Sequence, residues 1–363
     1  MKRIIISGGG TGGHIYPALA IADECKLRFP QVEILFVGAL GRMEMEKVPK
    51  AGYAIVGLPI AGLNRKNPLK NLSLPWKLFR SLWLARKTIK RFNPDLVIGV
   101  GGYASGPTLK MANLLGVPTL IQEQNSFPGK TNLLLAKKAK AICVAYPKMD
   151  VFFSKEKIHL TGNPVRSDIL EIHVKRSEAL SYFKLDDTRK TVFIMGGSLG
   201  ANSMNQGVIE NIEEISKDSS IQVLWQCGTR NYEGFKALSF PDNVKLLGFV
   251  DRMDLAYAAA DIIVSRAGAT SISELAIVGK PAVLVPSPNV AEDHQTKNAE
   301  SLSSHSAAIL LPDSMVSERL LPCVKDLLND AQKRGQLSKE ILRFAKANAT
   351  RDIVEIAYKC IKS

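Results

Sequence analysis

The chain has 363 residues, 46% of them hydrophobic, and a formal charge of +14 from 48 Lys and Arg against 34 Asp and Glu. At roughly 100–200 residues per domain the length suggests two domains, and the apolar content excludes a disordered chain. Five scattered cysteines without a CxxC pair exclude a disulfide framework or a zinc site and favour a reducing compartment. The chain opens MKRIIISGGG, with only three isoleucines before glycines begin. A secretory signal needs a longer apolar stretch, so a buried strand and a cytoplasmic protein are expected. No run approaches the roughly 20 apolar residues of a membrane span.

Short β-branched runs then alternate with helix-length stretches. The first half offers strands at Arg3–Ser7, Glu33–Val37, Asp95–Val100, Pro118–Gln122 and Ala141–Ala145. The second offers Thr191–Met195, Gln222–Gln226, Val244–Gly248, Asp261–Ser265, Ala282–Pro286 and Ala307–Leu311. Several are apolar end to end, as strands covered on both faces must be. Such alternation implies parallel sheets with right-handed crossovers, and the pattern begins afresh in the second half. The fold class is therefore α/β, with two Rossmann-like doubly wound domains. The boundary falls near Thr161–Arg166, where Gly162, Asn163 and Pro164 interrupt regular structure. This places one domain at 1–163 and the other at 164–345.

Gly8-Gly9-Gly10-Thr11-Gly12-Gly13-His14 follows the first strand and precedes an apolar-periodic segment from Ile15 to Ala22. Glycines permit close backbone approach, and the helix N-terminus behind them favours an anion. The plain alternative is a tight turn without a ligand. Gly8, Gly10 and Gly13 match GxGxxG, but the second strand ends Phe36-Val37-Gly38 without the acid that NAD requires. Arg42 leaves NADP as an alternative. His14 at the loop's end could cap the helix, pair with phosphate or act as a base near neutral pH.

Pro75 to Phe92 reads PWKLFRSLWLARKTIKRF. At about 100° per residue, Leu78, Leu82, Ala85, Ile89 and Phe92 share one face. Lys77, Arg80, Lys87, Lys90 and Arg91 take the other half, with Trp76 and Trp83 among them. This is either a surface helix whose tryptophans cover neighbouring loops or a peripheral contact with an anionic membrane. Further on, Gly99-Val100-Gly101-Gly102-Tyr103-Ala104-Ser105-Gly106 reads as a second close-approach loop. Gln122-Glu123-Gln124-Asn125 ends a strand where ligands bind in open parallel sheets.

The second half opens with a strand and Gly196-Gly197-Ser198-Leu199-Gly200-Ala201, again an anion loop before a helix. Arg266 to Glu274 follows another strand and opens a helix. Glu274 would lie about one turn in, placed to accept from a sugar's hydroxyls or to complement the helix dipole. Glu292 to Asn298 follows the next strand and could also read hydroxyls. No DxD occurs, so charge on a leaving diphosphate would be met by backbone N–H groups and helix dipoles. No nucleic-acid-binding motif is present.

Taken in order, Gly10–His14, Gly101–Gly106, Gln122–Asn125, Gly162–Arg166, Gly196–Ser198 and Arg266–Glu274 resemble the MurG family over essentially the whole chain. That resemblance implies the GT-B architecture, two Rossmann-like domains facing across a cleft, with a last helix at about 346–363 packing back on the first domain. It implies a glycosyltransferase moving N-acetylglucosamine from UDP-N-acetylglucosamine to the 4-hydroxyl of lipid I, with inversion, to give lipid II. It places the enzyme peripherally on the cytoplasmic face of the membrane, on an anionic inner leaflet, with other cell-wall synthesis proteins as further partners. No cofactor is implied; a divalent cation would stimulate without a DxD motif to hold it.

Carried over, the donor would touch Thr11, Gly12, Gly13, Asn125 and Arg166. In the second domain it would touch Ser198, Val250, Ala269, Thr270, Ser271, Glu274 on the ribose and Gln295, or its neighbour His294, on the sugar. Some members have glutamine where this chain has Leu199. His14 is the first candidate for the base and Glu123 the second. Trp76, Lys77, Arg80, Trp83 and Lys87 would meet the membrane. The rival readings are a UDP-sugar 2-epimerase of similar architecture and a nucleotide-sugar binding protein without turnover.

Overall fold

A computed structural model describes residues 1–62, 72–197, 199–290 and 293–362. The chain divides into two compact units, Met1–Arg166 with Lys346–Ser363, and Ser167–Ala345. The first unit runs β1 (Arg3–Ser7), α1 (Gly12–Arg28), β2 (Glu33–Ala39), α2 (Glu44–Lys50), β3 (Ala54–Leu58) and α3 (Leu74–Phe92). It continues with β4 (Leu96–Gly99), α4 (Ser105–Leu114), β5 (Thr119–Glu123), α5 (Lys130–Ala136), β6 (Ala141–Val144) and β7 (Ile158–Leu160). Among the described residues its sheet has seven strands, all parallel, in the order β3-β2-β1-β4-β5-β6-β7.

Alternation along each strand explains the continuous apolar runs. Ile4 and Ile6 of β1 join Phe36, Leu96 and Ile98 on one face, under α1 and the last helix of the chain. Ile5 joins Val37, Val97 and Ile121 on the other, under α3, α4 and α5. Two strands escape the sequence pattern. β3 is a half-buried edge strand, and β7 is a three-residue edge strand with His159 and Leu160 exposed. Edge strands lack the two-sided burial that produces a readable run.

The second unit begins α6 (Arg176–Phe183), β8 (Lys190–Met195), α7 (Asn202–Glu210), α8 (Ile212–Lys217), β9 (Ile221–Gln226), α9 (Tyr232–Lys236) and β10 (Val244–Leu247). Next come α10 (Met253–Ala259), β11 (Ile262–Arg266), α11 (Ala269–Val278), β12 (Ala282–Val285), α12 (His294–Ser303), β13 (Ile309–Leu310), α13 (Val316–Asn329) and α14 (Ala331–Leu342). Among the described residues its sheet has six parallel strands, ordered β10-β9-β8-β11-β12-β13. Val192, Ile194, Val223 and Trp225 pack with Met204 and Val208 of α7 and Leu320 of α13. The chain then returns: α15 (Ala349–Lys362) buries Ile353, Val354, Ala357 and Cys360 in the first unit, and Thr350 Oγ1 donates to Val165 O at 3.3 Å. All five cysteines are unpaired, and burial pushes the Cys25 thiol up to about 12.

Candidate functional site

In the first unit the glycine loops follow the carboxyl ends of β1 and β4, between which the strand order reverses. That reversal is the ligand position of open parallel sheets. α1 opens at Gly12, earlier than the apolar pattern suggests, with Thr11 extended at the N-cap (φ −143°, ψ 162°). Gly12, Gly13 and His14 therefore form the first helical turn, at the positive end of the dipole. His14 Nδ1 lies 3.3 Å from Thr11 Oγ1. The opposite edge of the ring rests on Gly101, where a Cβ would come within 2.7 Å of Cδ2 and 2.8 Å of Nε2. A Cβ on Gly102 would lie 2.3 Å from Gly9 O. The two loops pack backbone against backbone, and only glycine allows this. Ser105 Oγ pins the second loop, lying 2.7 Å from Ser7 O and 2.8 Å from Gly101 O.

The Gln122–Asn125 segment is organised from below. Glu123 is buried, and its carboxylate accepts from Asn125 N (3.0 Å), Asn125 Nδ2 (3.3 Å), Gly129 N (3.1 Å) and Asn132 Nδ2 (2.8 Å). Both oxygens are spent on shaping the loop, which suits a positioning role better than a base. Gln122 Nε2 donates to Asn163 Oδ1 at 2.9 Å, and Asn163 Nδ2 donates to Gln124 O at 3.1 Å. Gln124 Nε2 donates to Val100 O at 2.8 Å. This buried amide network ties Gly162–Arg166 to the glycine loops, a link invisible in the sequence because each partner is remote along the chain. Arg166 stacks over the Tyr16 ring of α1, 4.9 Å from its centroid. Thr11, Gly12, Gly13, His14, Asn125 and Arg166 thus gather at one end of this sheet.

In the second unit the corresponding loops follow β8 and β11. Gly197 (φ +83°) and Gly200 (φ +80°) shape the first, and Ser198 lies outside the described residues. Gly268 is the N-cap of α11, so Ala269, Thr270 and Ser271 form its first turn. Val250 and Ala269 are buried. Glu274, one turn further, is buried and accepts from Tyr257 Oη at 2.8 Å. Gln295 Oε1 accepts the Ser287 N–H at 2.9 Å. Arg266 does not reach outward. It donates to Val285 O and Pro286 O at 3.2 Å, to Ser203 Oγ at 2.9 Å and to Asp313, bracketing the loops after β11 and β12. Among the described residues no group of three or more His, Cys, Asp or Glu could hold a metal ion.

α3 turns Leu82, Ala85, Ile89 and Phe92 of its apolar face onto the core, but not Leu78. Ser81, Ala85, Thr88 and Ile89 are buried, whereas Leu78 is 45% exposed in the first turns. There Trp76, Phe79 and Trp83 stand exposed, with Trp76 stacked on Phe79 at 6.1 Å and Lys87 Nζ 5.4 Å from the Trp83 ring. Arg80 is exposed and Lys77 half-buried beside them. The N-terminal half of α3 thus presents aromatic rings and cations together. No helix among the described residues is long and apolar enough to cross a membrane.

Comparison with known proteins gives this geometry a family. Residues 4–144 match the glycosyltransferase family 28 N-terminal domain and residues 191–355 the family 28 C-terminal domain. A Flavobacterium psychrophilum protein named UDP-N-acetylglucosamine–N-acetylmuramyl-(pentapeptide) pyrophosphoryl-undecaprenol N-acetylglucosamine transferase is 54% identical over 361 residues, 99% of this chain and 98% of that one. The crystal structure of Acinetobacter baumannii MurG superposes with a TM-score of 0.75 at 29% identity, covering 99% of this chain and all of the other. The Neisseria meningitidis UDP-GlcNAc 2-epimerase shares the fold alone, with a TM-score of 0.70 at 13% identity over 99% of this chain and 100% of the epimerase. The chain is a glycosyltransferase of family 28, and within it belongs to the MurG family.

Proposed function

We propose that this enzyme transfers N-acetylglucosamine from UDP-N-acetylglucosamine to lipid I, N-acetylmuramyl-(pentapeptide) pyrophosphoryl-undecaprenol, producing lipid II for peptidoglycan synthesis. The observation that carries this reading is the 54% identity to the Flavobacterium transferase along nearly the entire length of both chains. The second unit takes the donor. Backbone N–H groups of its glycine loop and of the Ala269–Ser271 turn face the diphosphate, Glu274 accepts from the ribose, and Gln295 reads the sugar. Ser198 belongs to the same donor set. The first unit takes the acceptor, whose diphosphate suits the glycine loop and the α1 N-terminus.

The acceptor's 4-hydroxyl attacks the anomeric carbon directly. The bond to UDP breaks as the new bond forms, and the configuration inverts. His14 removes the hydroxyl proton. The tautomer that donates Nδ1–H to Thr11 Oγ1 leaves the lone pair on Nε2, as a base requires. Charge on departing UDP is met by backbone N–H groups and the dipoles of α7 and α11. The absence of a DxD motif supports a reaction without a resident metal.

The acceptor's polyprenyl chain demands a membrane, and the exposed Trp76, Phe79 and Trp83 with Lys77, Arg80 and Lys87 suit the headgroup region of an anionic inner leaflet. The enzyme therefore works peripherally, on the cytoplasmic face. Transfer of labelled N-acetylglucosamine to a lipid I analogue, with and without EDTA, tests the proposal. Acceptor-dependent labelling that survives EDTA is expected. No labelled lipid in either arm contradicts the acceptor, and labelling abolished by EDTA contradicts the metal-free reading.

A further inference from the structure

The sequence offers no acid at the end of β2, yet the fold brings one there from the following helix. Glu44, the first residue of α2, is 1% exposed. Its Oε2 accepts the Gly10 N–H at 2.8 Å and its Oε1 the Ala39 N–H at 2.9 Å. A Cβ on Gly9 would lie 2.2 Å from this carboxylate, and one on Gly38 2.5 Å from Glu44 Cγ. Two glycines, one in the loop and one in β2, make room for a single buried acid.

A carboxylate under an anion loop has a directional effect. It occupies the Gly10 N–H and repels negative charge there, so an anionic ligand is driven toward the Gly12–His14 turn. Its hydrogen bond also fixes Gly10 (φ +92°) beside Gly9, whose carbonyl lies against Gly102, next to the Gly101 that supports the His14 ring. We propose that Glu44 is a positioning residue, which confines the anionic part of the acceptor to the His14 end of the first loop and holds that loop against the second. This rests on reading the first loop as the acceptor's diphosphate site.

The test uses the full chain labelled with 15N-histidine. The sequence has five histidines, and the His14 ring signal is identified by its loss in His14→Gln. Inorganic pyrophosphate is titrated with saturating UDP present, and turnover of a lipid I analogue is measured alongside. Removing the negative charge in Glu44→Gln should tighten pyrophosphate binding about threefold or more. The same variant should slow transfer roughly tenfold or more through misplacement, with the donor KM unchanged. Glu44→Asp keeps the charge but shortens the reach, so it should slow transfer without tightening pyrophosphate.

A residue that merely folds the loop would weaken both properties in Glu44→Gln, and that outcome overturns the proposal. So does wild-type behaviour in either measurement. If Glu44→Gln fails to fold, Glu44→Asp decides, and wild-type turnover there overturns the proposal. A wild-type His14 signal that ignores pyrophosphate overturns the loop reading and this proposal with it. Wild-type binding with an unaltered Glu44→Gln overturns the proposal alone.

Discussion

His14 and Glu123 sit near the same loops but stand in opposite chemical situations. His14 is half-buried, with Nδ1 near the Thr11 hydroxyl and Nε2 on the glycine side, whereas Glu123 is buried with both oxygens accepting hydrogen bonds. His14→Ala should therefore lower kcat by about 10²–10⁴-fold, the usual range for general-base catalysis, while UDP binding measured by calorimetry stays at the wild-type value. Near-normal turnover would remove His14 from the chemistry. The charged cluster of the second unit makes a separate, structural prediction. Asp254 is buried and accepts from Arg252 at 2.8 and 2.9 Å and from Lys175 at 2.8 Å; these hydrogen bonds, that of Arg252 foremost, hold its carboxyl well below the usual carboxylate range. A depressed carboxylate stabilises fully above its unfolded value, near pH 4, and loses that contribution as pH falls through the folded value. Asp254→Asn should thus cost about 1.5–3 kcal/mol at neutral pH and flatten the loss of stability below about pH 4. Denaturant melts of both proteins across that range would show whether the slopes differ.

At the scale of elements, legibility followed burial. β1, β4, β5 and β6, and β8, β9, β11 and β12 of the second unit, are marked by apolar runs because both of their faces are buried. The edge strands β3 and β7 carry no such mark. The glycine loops are equally plain, since backbone contact between Gly9 and Gly102 admits no side chain. Glu44 is silent in the sequence: Arg42-Met43-Glu44 resembles any helix start, and only the fold shows that its carboxylate turns inward under Gly10. The Gln122–Gln124–Asn163 network is hidden for the same reason, its partners being joined by tertiary structure alone. In α3, wheel geometry finds the cations and the tryptophans and groups Leu78 with the apolar face, of which the first turns leave Leu78 exposed beside Phe79. Replacing Trp83 by Ala together with Lys77 and Lys87 by Glu should release the enzyme from anionic vesicles, since each cation contributes about 1 kcal/mol at such a surface. Co-sedimentation reads the outcome. Turnover on a short-chain, water-soluble acceptor should persist, and vesicle binding equal to wild type would sink the membrane role of this helix.

Across the whole molecule, two parallel sheets share one strand order over six strands and each carries a glycine loop at the point of reversal, and family 28 domains match residues 4–144 and 191–355. That duplication is shared with the 2-epimerases, so fold alone does not choose between transfer and epimerisation. The choice comes from the full-length relatives, which are named as N-acetylglucosamine transferases. The proposed inverting transfer to the 4-hydroxyl of the muramoyl sugar is read from the linkage of the isolated product. After incubation of the enzyme with UDP-N-acetylglucosamine and a lipid I analogue, the disaccharide is analysed by NMR. Inverting transfer predicts a β-linked N-acetylglucosamine joined to C4 of the muramoyl residue, formed only when acceptor is present. An α-linkage, attachment at another carbon, or conversion of the donor to its 2-epimer without acceptor would contradict it.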